Sequence, residues 1–185
     1  MESKPRCSWV NLKNHLYVDY HDNEWGEPLR DDQKLFELLC LEGAQAGLSW
    51  EQVLNKREDY RKSFWNFDPK ILANKSYKEL LEVMAVSNVI KNKLKVEGLK
   101  KNAQAYLVIV AEHGSFCDFV WSFVDNKTIV NCWASYYMAP TQTDQSRALS
   151  KALKKYGFTF AGPIVCYAFM QAAGLVSDHE IDCYK

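Results

Sequence analysis

The chain ends in SDHEIDCYK, and this tail holds two residues of the types that bind soft metals. His179 is followed by three residues and then by Cys183, so the two lie about one helical turn apart. A chain terminus is usually frayed, so a metal held there needs ligands from elsewhere in the chain. Cys7 and His21, near the other end, complete a set of two thiols and two imidazoles. Thiolates and imidazoles are the ligands that tetrahedral zinc prefers.

A zinc site of this kind would be structural. Four protein ligands leave no open position for water or substrate, and these four would join the two ends of the chain. The interval between Cys7 and His21 is too long for a zinc-finger knuckle, and the set contains no CxxC pair. From spacing alone, the alternative that these are four unrelated residues stays open.

A second candidate site lies in CLEGAQAGLSW, residues 40–50. Glu42 follows a leucine and precedes a glycine, and Trp50 closes the stretch. The two glycines of the stretch suggest a break or a close backbone approach between helices. A carboxylate beside glycine and tryptophan can accept hydrogen bonds from an amine inside an aromatic cleft. Further aromatic residues come earlier in the chain: Trp9, Tyr17, Tyr20 and Trp25. The alternative is that the aromatic residues form core, in a chain that is 14% aromatic, and that Glu42 is solvated.

Basic residues are concentrated in two stretches. VIKNKLKVEGLKK carries five lysines, and SRALSKALKK carries four basic residues without an acid. The residues are Lys91, Lys93, Lys95, Lys100, Lys101, Arg147, Lys151, Lys154 and Lys155. They suit contacts to phosphates, although a charge run on a helix is usually a solvated face. The whole chain has 23 basic and 23 acidic residues, which argues against a large field of one sign.

The composition predicts a soluble, cytoplasmic protein with a real core. The chain has 185 residues, of which 48% are hydrophobic, and no apolar run approaches the roughly 20 residues of a membrane span. The start, MESKPRCSWV, lacks the apolar region of a signal peptide. Six cysteines are then expected to be reduced thiols. Cys40 and Cys166 lie in apolar stretches and are predicted to be core residues.

The elements that must position these side chains are predicted to be helices. Asp31 and Asp32, the pair Ser76 and Glu79, and Thr143 are helix-start signals. Pro163 should open an apolar helix in the centre of a bundle, and Gly114, Gly157 and Gly174 should close helices. We expect a helix from near Glu42 through LSWEQVLNKRE, a long helix that ends at Gly114, and a short β element in FTF, residues 158–160. The fold class is therefore all-α.

Longer stretches carry a resemblance to a known family. They are YHDNEWG, KLFELLCLEGAQAGLSW, NAQAYL, DFVWSFV, LSKALKKYGFTFAGP and CYAFMQAAGLVSDH, and together they cover most of the chain. In these stretches the chain resembles the bacterial DNA-3-methyladenine glycosylase I family. The resemblance implies an all-α helix-hairpin-helix glycosylase, here one domain over residues 1–185 with two helical lobes. It also implies a Zn²⁺ that joins the termini through Cys7, His21, His179 and Cys183.

The resemblance further implies roles for individual residues. Glu42 matches the carboxylate that hydrogen-bonds the methylated adenine and is the candidate catalytic residue, for recognition first and catalysis second. Trp50 matches the aromatic residue on which the base stacks, and Tyr20, Tyr17 and Trp9 match other pocket residues. Gly47 and Leu48 match a loop that enters the duplex. Residues 86–95, VSNVIKNKLK, match the hairpin that holds the DNA backbone, where Lys91 and Lys93 would contact phosphates.

Two hairpin positions depart from the pattern. Relatives usually carry glycine where this chain has Asn88, and another glycine is replaced by Leu94. Asparagine tolerates left-handed backbone angles better than most residues, so the turn can survive the first change. Both changes put the hairpin's geometry and DNA affinity in question.

The expected activity is that of a monofunctional hydrolase in base excision repair. It would flip the nucleotide out, release 3-methyladenine from alkylated double-stranded DNA and leave an abasic site, because no lysine occupies a recognisable nucleophile position. A monomer is expected. Two alternatives are a module that binds alkylated DNA without cutting it, and a zinc hydrolase, which would need an open coordination position.

Overall fold

The structure, a computed structural model, describes residues 4–185, and it is all-α apart from one pair of very short strands. Ten α-helices lie within these residues. They are α1 (His15–Asn23), α2 (Asp32–Gln45), α3 (Trp50–Leu54), α4 (Arg57–Ser63), α5 (Pro69–Asn74), α6 (Tyr77–Val86), α7 (Lys93–His113), α8 (Phe116–Trp121), α9 (Asp144–Tyr156) and α10 (Pro163–Ala172). Strands β1 (Ile129–Val130) and β2 (Val176–Ser177) pair in parallel.

The structure confirms the capping residues from which the helix starts were predicted. Asp31 accepts a hydrogen bond from the Lys34 N–H and begins α2. Ser76 forms a reciprocal capping box with Glu79 at α6, and Thr143 caps α9. Each cap satisfies amide donors that the first helical turn leaves unpaired. The long helix α7 ends before Gly114, and α9 before Gly157, as predicted.

The predicted helix from Glu42 through residue 58 is wrong. Glu42 lies in the last turn of α2, which continues to Gln45, and the chain then breaks before α3 and α4. Gly47 adopts φ +83, a conformation that helical residues do not have. Ser49 then begins α3 by accepting from the Gln52 N–H. The break places Glu42 and Trp50 on two separate helices instead of one.

The predicted β element in FTF is also wrong. Residues 158–160 form no strand, and Phe160 has φ +55, outside the extended region. The strands lie instead at residues 129–130 and 176–177. Two residues are too few to show the alternating pattern that identifies a strand in sequence.

The parallel pair fixes the path of the C-terminal tail. The Ile129 N–H donates to the Leu175 carbonyl at 2.9 Å, and the Ile181 N–H donates to the Trp133 carbonyl at 2.9 Å. Farther on, the Tyr184 N–H donates to the carbonyl of Pro5 at 2.9 Å. The tail is therefore ordered by backbone pairing and lies beside the N-terminal segment.

The hydrophobic residues form two clusters that share Leu38 and Trp50 at their edges. The larger cluster contains Cys40 and Cys166, which are buried as predicted. Helix α10 contributes Cys166, Tyr167, Phe169 and Met170 to it, although Ile164 in its first turn is exposed. The smaller cluster surrounds the N-terminal aromatic residues. The single domain over residues 1–185 stays a prediction.

Within residues 4–185, no single helix is long and apolar enough to cross a membrane. Helix α7 passes that test only in combination with residues 116–124, across a bend of 84°, and only by length and composition.

Candidate functional site

The N-terminal aromatic residues and the end of α2 enclose a cavity of about 190 Å³. Helix α1 contributes two tyrosines, α2 and α3 contribute Glu42 and Trp50 from either side of the break, and α10 closes another wall. The lining residues are Trp9, Tyr17, Tyr20, Trp25, Glu42, Gln45, Trp50, Tyr136, Ala168 and Gln171. The cavity is smaller than the 300–1,000 Å³ of sites for drug-sized ligands, and it suits a single planar ring system.

The aromatic walls form a continuous set of ring contacts. The ring centroids of Tyr17 and Tyr20 lie 6.4 Å apart, and those of Tyr20 and Trp50 lie 5.3 Å apart. Trp9 lies 5.4 Å from Tyr17 and 4.9 Å from Trp25. All five aromatic residues that the sequence analysis named for an aromatic cleft therefore lie around one cavity.

Two buried donors belong to this wall. The indole nitrogens of Trp9 and Trp50 have no hydrogen-bond partner within the described part of the chain. Buried polar atoms without partners are rare in folded proteins, and they often mark functional sites. Their presence at one cavity is consistent with a surface shaped for a ligand.

Glu42 is the acidic group of the cavity. Its side chain is 4% exposed, and within residues 4–185 its carboxyl oxygens form no hydrogen bond or ion pair with the protein. Burial without a compensating partner raises the pKa of the Glu42 carboxyl to about 8. A buried, unpaired carboxyl can be satisfied by a hydrogen-bond donor or a cation that enters the cavity.

Four lining residues were absent from the sequence-based set: Gln45, Tyr136, Ala168 and Gln171. Tyr136 lies in a 3-10 turn, Tyr136–Met138, more than 80 residues beyond Trp50. Its N–H donates to the carboxylate of Glu180 at 2.7 Å, so the C-terminal tail holds it at the cavity. No local signal in the sequence predicts this contact, because it depends on the pairing of the tail with residues 129–133.

The four predicted metal ligands meet at the junction of the termini. Their ligand atoms all lie within 4.8 Å of one another. The Sγ of Cys7 lies 3.5 Å from Nδ1 of His179, and the Sγ of Cys183 lies 3.5 Å from Nε2 of His21 and 3.6 Å from Nδ1 of His179. With bonds of roughly 2.3 Å to sulfur and 2.0–2.1 Å to nitrogen, a tetrahedral zinc site has sulfur-to-nitrogen edges of about 3.6 Å. The donor set therefore fits a tetrahedral ion.

The outer nitrogens of the two imidazoles are also bound. Nδ1 of His21 lies 2.8 Å from the carboxylate of Asp22, which a two-fold contact from Arg6 holds in place. Nε2 of His179 lies 3.2 Å from the carbonyl of Trp25. Since both outer partners are acceptors, the proton of each neutral ring sits on its outer nitrogen, and the inner nitrogen offers a lone pair to a metal.

Gly26 shows how closely the chain packs against this cluster. It has φ +80, and a Cβ there would lie 2.7 Å from Nε2 of His179. Both the backbone angle and the close approach exclude larger residues. The glycine of YHDNEWG thus allows the turn after α1 to contact a predicted ligand.

Gly47 and Leu48 lie in the exposed turn between α2 and α3, two and three residues after the cavity residue Gln45. A Cβ added at Gly47 would meet open space, and Leu48 is 39% exposed.

The two lysines predicted to contact DNA lie in different settings. The ammonium of Lys91 donates to the carbonyls of Met84 and Ser87 and so satisfies the C-terminal end of α6. Lys93, at the start of α7, is exposed and makes no ion pair within the described residues. Lys95 is also engaged by the protein, since its Nζ donates to the carbonyls of Ala44 and Ala46 at 2.8 and 2.6 Å.

Helices α6 and α7 are joined by six residues, and Asn88 lies among them. It is not one of the residues with positive φ, so asparagine is accommodated there without the left-handed angle that the sequence suggested. Lys56 donates to its carbonyl and side-chain oxygens at 2.8 Å each, and Asn88 donates to Asp59 at 2.8 Å. Leu94, the other departure, is 69% exposed at the start of α7.

Comparisons with known proteins agree over nearly the whole chain. The family described as methyladenine glycosylase matches residues 9–185. A DNA-3-methyladenine glycosylase from Haemophilus influenzae is 52% identical over 178 residues, which cover 96% of each chain. A solved 3-methyladenine DNA glycosylase I is similar with a TM-score of 0.94 and 48% identity, over 97% of this chain and 98% of the other. A second such structure, a variant in complex with 3-methyladenine, has a TM-score of 0.93 and 37% identity, over 97% and 96% of the two chains.

Proposed function

The chain belongs to the methyladenine glycosylase family, and from this we infer that it is a DNA-3-methyladenine glycosylase of base excision repair. It hydrolyses the N-glycosidic bond that joins 3-methyladenine to deoxyribose in alkylated DNA. The observation that carries this conclusion is the buried carboxyl of Glu42 in a cavity with aromatic walls. The chain's 52% identity to an enzyme of that name supports it.

The cavity suits a flipped base. A base inside a duplex cannot reach a buried group, so the nucleotide must rotate out of the stack. We propose that the base stacks on Trp50 and contacts Tyr20, Tyr17 and Trp9. A cationic ring gains roughly 0.5–2 kcal/mol from each aromatic face.

Hydrolysis of the glycosidic bond needs little acid catalysis at the leaving base. Methylation at N3 makes the adenine cationic, so the bond between C1′ and N9 breaks with its electron pair moving to the base, and neutral 3-methyladenine departs. Water then adds to C1′ and gives up a proton. Glu42 would accept a hydrogen bond from the exocyclic amine and, when ionised, stabilise positive charge on the base and on the sugar.

We propose a monofunctional enzyme. A glycosylase that also cleaves the strand uses a lysine to form a Schiff base with the sugar. Among the described residues, none of the cavity's lining side chains is a lysine. Water is therefore the nucleophile, and the product is an abasic site in an intact strand.

The surface around the cavity would hold alkylated double-stranded DNA. In this proposal Leu48 fills the space that the flipped nucleotide leaves, and Gly47 lets the turn approach the duplex. The connection between α6 and α7 acts as the helix-hairpin-helix element, residues 86–95, and grips the backbone. Lys93 contacts a phosphate directly, whereas Lys91 supports the end of α6 beside the backbone.

We propose that Cys7, His21, His179 and Cys183 hold one structural Zn²⁺. The interatomic distances support this, as do the acceptors bound to the outer imidazole nitrogens. The ion would join the two termini through coordination bonds. Four protein ligands leave no open coordination position for substrate. We propose a cytoplasmic location, because free cysteine thiols persist in a reducing compartment. We also propose that the enzyme acts as a monomer.

The test is base release from methylated duplex DNA, resolved by chromatography. We expect wild-type protein to release 3-methyladenine and Glu42→Gln to release it at least 100-fold more slowly. The control is Glu82→Gln, because Glu82 is exposed on α6 and remote from the cavity lining. Release by the control but not by Glu42→Gln supports the role of Glu42. No release by folded, zinc-loaded wild type would reject the function, and specific binding without release would identify a recognition module.

A further inference from the structure

Gln171 lines the cavity from α10, and a buried acid outside the cavity orients its side chain. Gln171 is 6% exposed. Its amide nitrogen, Nε2, donates to Oδ2 of Asp178 at 2.7 Å. The bond joins the cavity wall to the C-terminal tail, one residue before the predicted metal ligand His179.

Asp178 is fully buried and receives three further hydrogen bonds. Its second oxygen accepts from Asn131 Nδ2 at 2.7 Å and from Trp133 Nε1 at 2.9 Å, and the Tyr167 hydroxyl donates to Oδ2 at 2.6 Å. A carboxylate so surrounded by donors acts only as an acceptor. It therefore fixes which end of the Gln171 amide it binds, namely the NH₂ group, and it prevents the amide from flipping.

The carbonyl oxygen Oε1 of Gln171 takes no part in the bond to Asp178. Within residues 4–185 no donor binds it, although the side chain is almost completely buried at the cavity wall. Since this oxygen is not one of the fully buried side-chain atoms that lack a partner, it is open to the cavity, where a donor on a ligand can bind it in place of water. We propose that Gln171 is a specificity-determining residue whose Oε1 accepts a hydrogen bond from the exocyclic amine of the methylated base.

The chemistry of the base leaves one partner for this oxygen. In 3-methyladenine attached to DNA, N9 is bonded to the sugar and N3 to the methyl group, so the amine on C6 carries the only N–H donors. Glu42 is a second acceptor on the same cavity, and the amine has two hydrogens to share between them. Guanine carries a carbonyl at C6, which would face an acceptor and be repelled. This inference rests on the proposed function, because it assumes that the cavity holds the base.

The test measures binding of two free bases, 3-methyladenine and 3-methylpurine, which lacks the amine. The readout is quenching of tryptophan fluorescence, since Trp9, Trp25 and Trp50 line the cavity. We expect wild type to prefer 3-methyladenine and Gln171→Met, which keeps the side chain's length but lacks the acceptor, to lose about 10-fold of that preference. Gln104→Met is the control, because Gln104 is exposed on α7; it should keep the full preference.

Asp178→Asn tests the orienting bond without touching the cavity lining. An amide at this position can donate as well as accept, so Gln171 can flip. We expect part of the preference to be lost in this variant, and we expect the double variant to lose no more of it than Gln171→Met alone. Thermal unfolding and zinc content show that each variant is folded and metal-loaded.

An unchanged preference in folded Gln171→Met would overturn the inference, and so would failure of wild type to bind 3-methyladenine. The proposed function is judged separately by base release. Wild type that binds 3-methyladenine with the Gln171-dependent preference, but releases none from methylated DNA, would reject the glycosylase activity and keep this role for Gln171.

Discussion

At the residue scale, Glu42 shows how burial prepares a group for one ligand. The carboxyl lies among aromatic rings with no partner among the described residues, and burial raises its pKa to about 8. Near neutral pH the free protein therefore holds Glu42 mostly neutral. A cationic base that enters the cavity favours the ionised form, so base binding and loss of the Glu42 proton are coupled.

This coupling predicts the pH dependence of activity. We expect kcat/KM for methylated duplex DNA to rise with pH and to level off above about 8, as Glu42 in the free enzyme ionises. In Glu42→Gln the low remaining rate should lack this rise. The measurement is the initial rate of 3-methyladenine release between pH 6 and 9 at low substrate concentration. A wild-type profile that is flat over this range would show that ionised Glu42 is not required.

The same shift predicts a change in stability with the opposite sense. A carboxyl whose pKa is higher in the folded than in the unfolded protein stabilises the fold while it is neutral. That contribution is complete below the ordinary value near 4.5 and is lost as pH rises through about 8. Glu42→Gln should therefore gain unfolding free energy relative to wild type as pH increases from 6 to 9. Urea denaturation at each pH measures the difference, and Glu82→Gln should show no such trend.

At the element scale, the break between α2 and α3 determines where the side chains of the candidate site lie. It puts Glu42 and Trp50 on separate helices and leaves Leu48 exposed on the turn between them. If Leu48 acts as a wedge, Leu48→Ala should reduce 3-methyladenine release from duplex DNA by about 10-fold or more, because unstacking costs a few kcal/mol per step. Release from single-stranded DNA needs no wedge and should change little. Equal losses on both substrates would argue against the wedge.

The α6–α7 connection predicts a contrast between two lysines that lie two residues apart. Lys91→Met removes an ammonium that satisfies the end of α6, so it should lower the melting temperature by several degrees. Lys93→Met removes an exposed charge, so it should leave the melting temperature unchanged and reduce the slope of log K against log salt by about 0.9. Thermal unfolding and binding to duplex DNA at several salt concentrations measure the two effects. If instead Lys91→Met reduces the salt slope and Lys93→Met does not, the phosphate contact belongs to Lys91.

The sequence predicted those elements whose signals are local. Capping residues such as Ser76 and Thr143 act within one turn, and they marked the helix starts correctly. The glycines of residues 40–50 indicated a break or a close approach between helices, but they did not fix where the helices end, so the helix expected from Glu42 through residue 58 was wrong. Tyr136 and Gln171 were missed for another reason: the C-terminal tail holds Tyr136 at the cavity and orients the Gln171 side chain of α10, and no local pattern describes these contacts.

At the scale of the whole molecule, the two ends of the chain build the site together. The N-terminal segment supplies Trp9 to the cavity and Cys7 to the cluster of predicted metal ligands. The tail supplies Cys183 to that cluster, and Asp178 binds the cavity residue Gln171. Spacing alone could not distinguish a zinc site from four unrelated residues. The resemblance favoured the zinc site, and the structure brings the four side chains within reach of one ion.

This arrangement predicts the effect of metal removal. Chelation should lower the melting temperature by about 10 °C or more, because metal binding to the folded state contributes several kcal/mol and each kcal/mol corresponds to about 2–4 °C in a chain of this size. Cys183→Ser should do the same, whereas Cys132→Ser, at an exposed thiol outside the cluster, should not. Below the melting temperature of the metal-free protein, we expect 3-methyladenine release to decrease but not to stop, because the protein is still folded. Added Zn²⁺ should restore the full rate. If instead release stops completely while circular dichroism and melting temperature are unchanged, the ion takes part in the chemistry and the structural assignment is wrong.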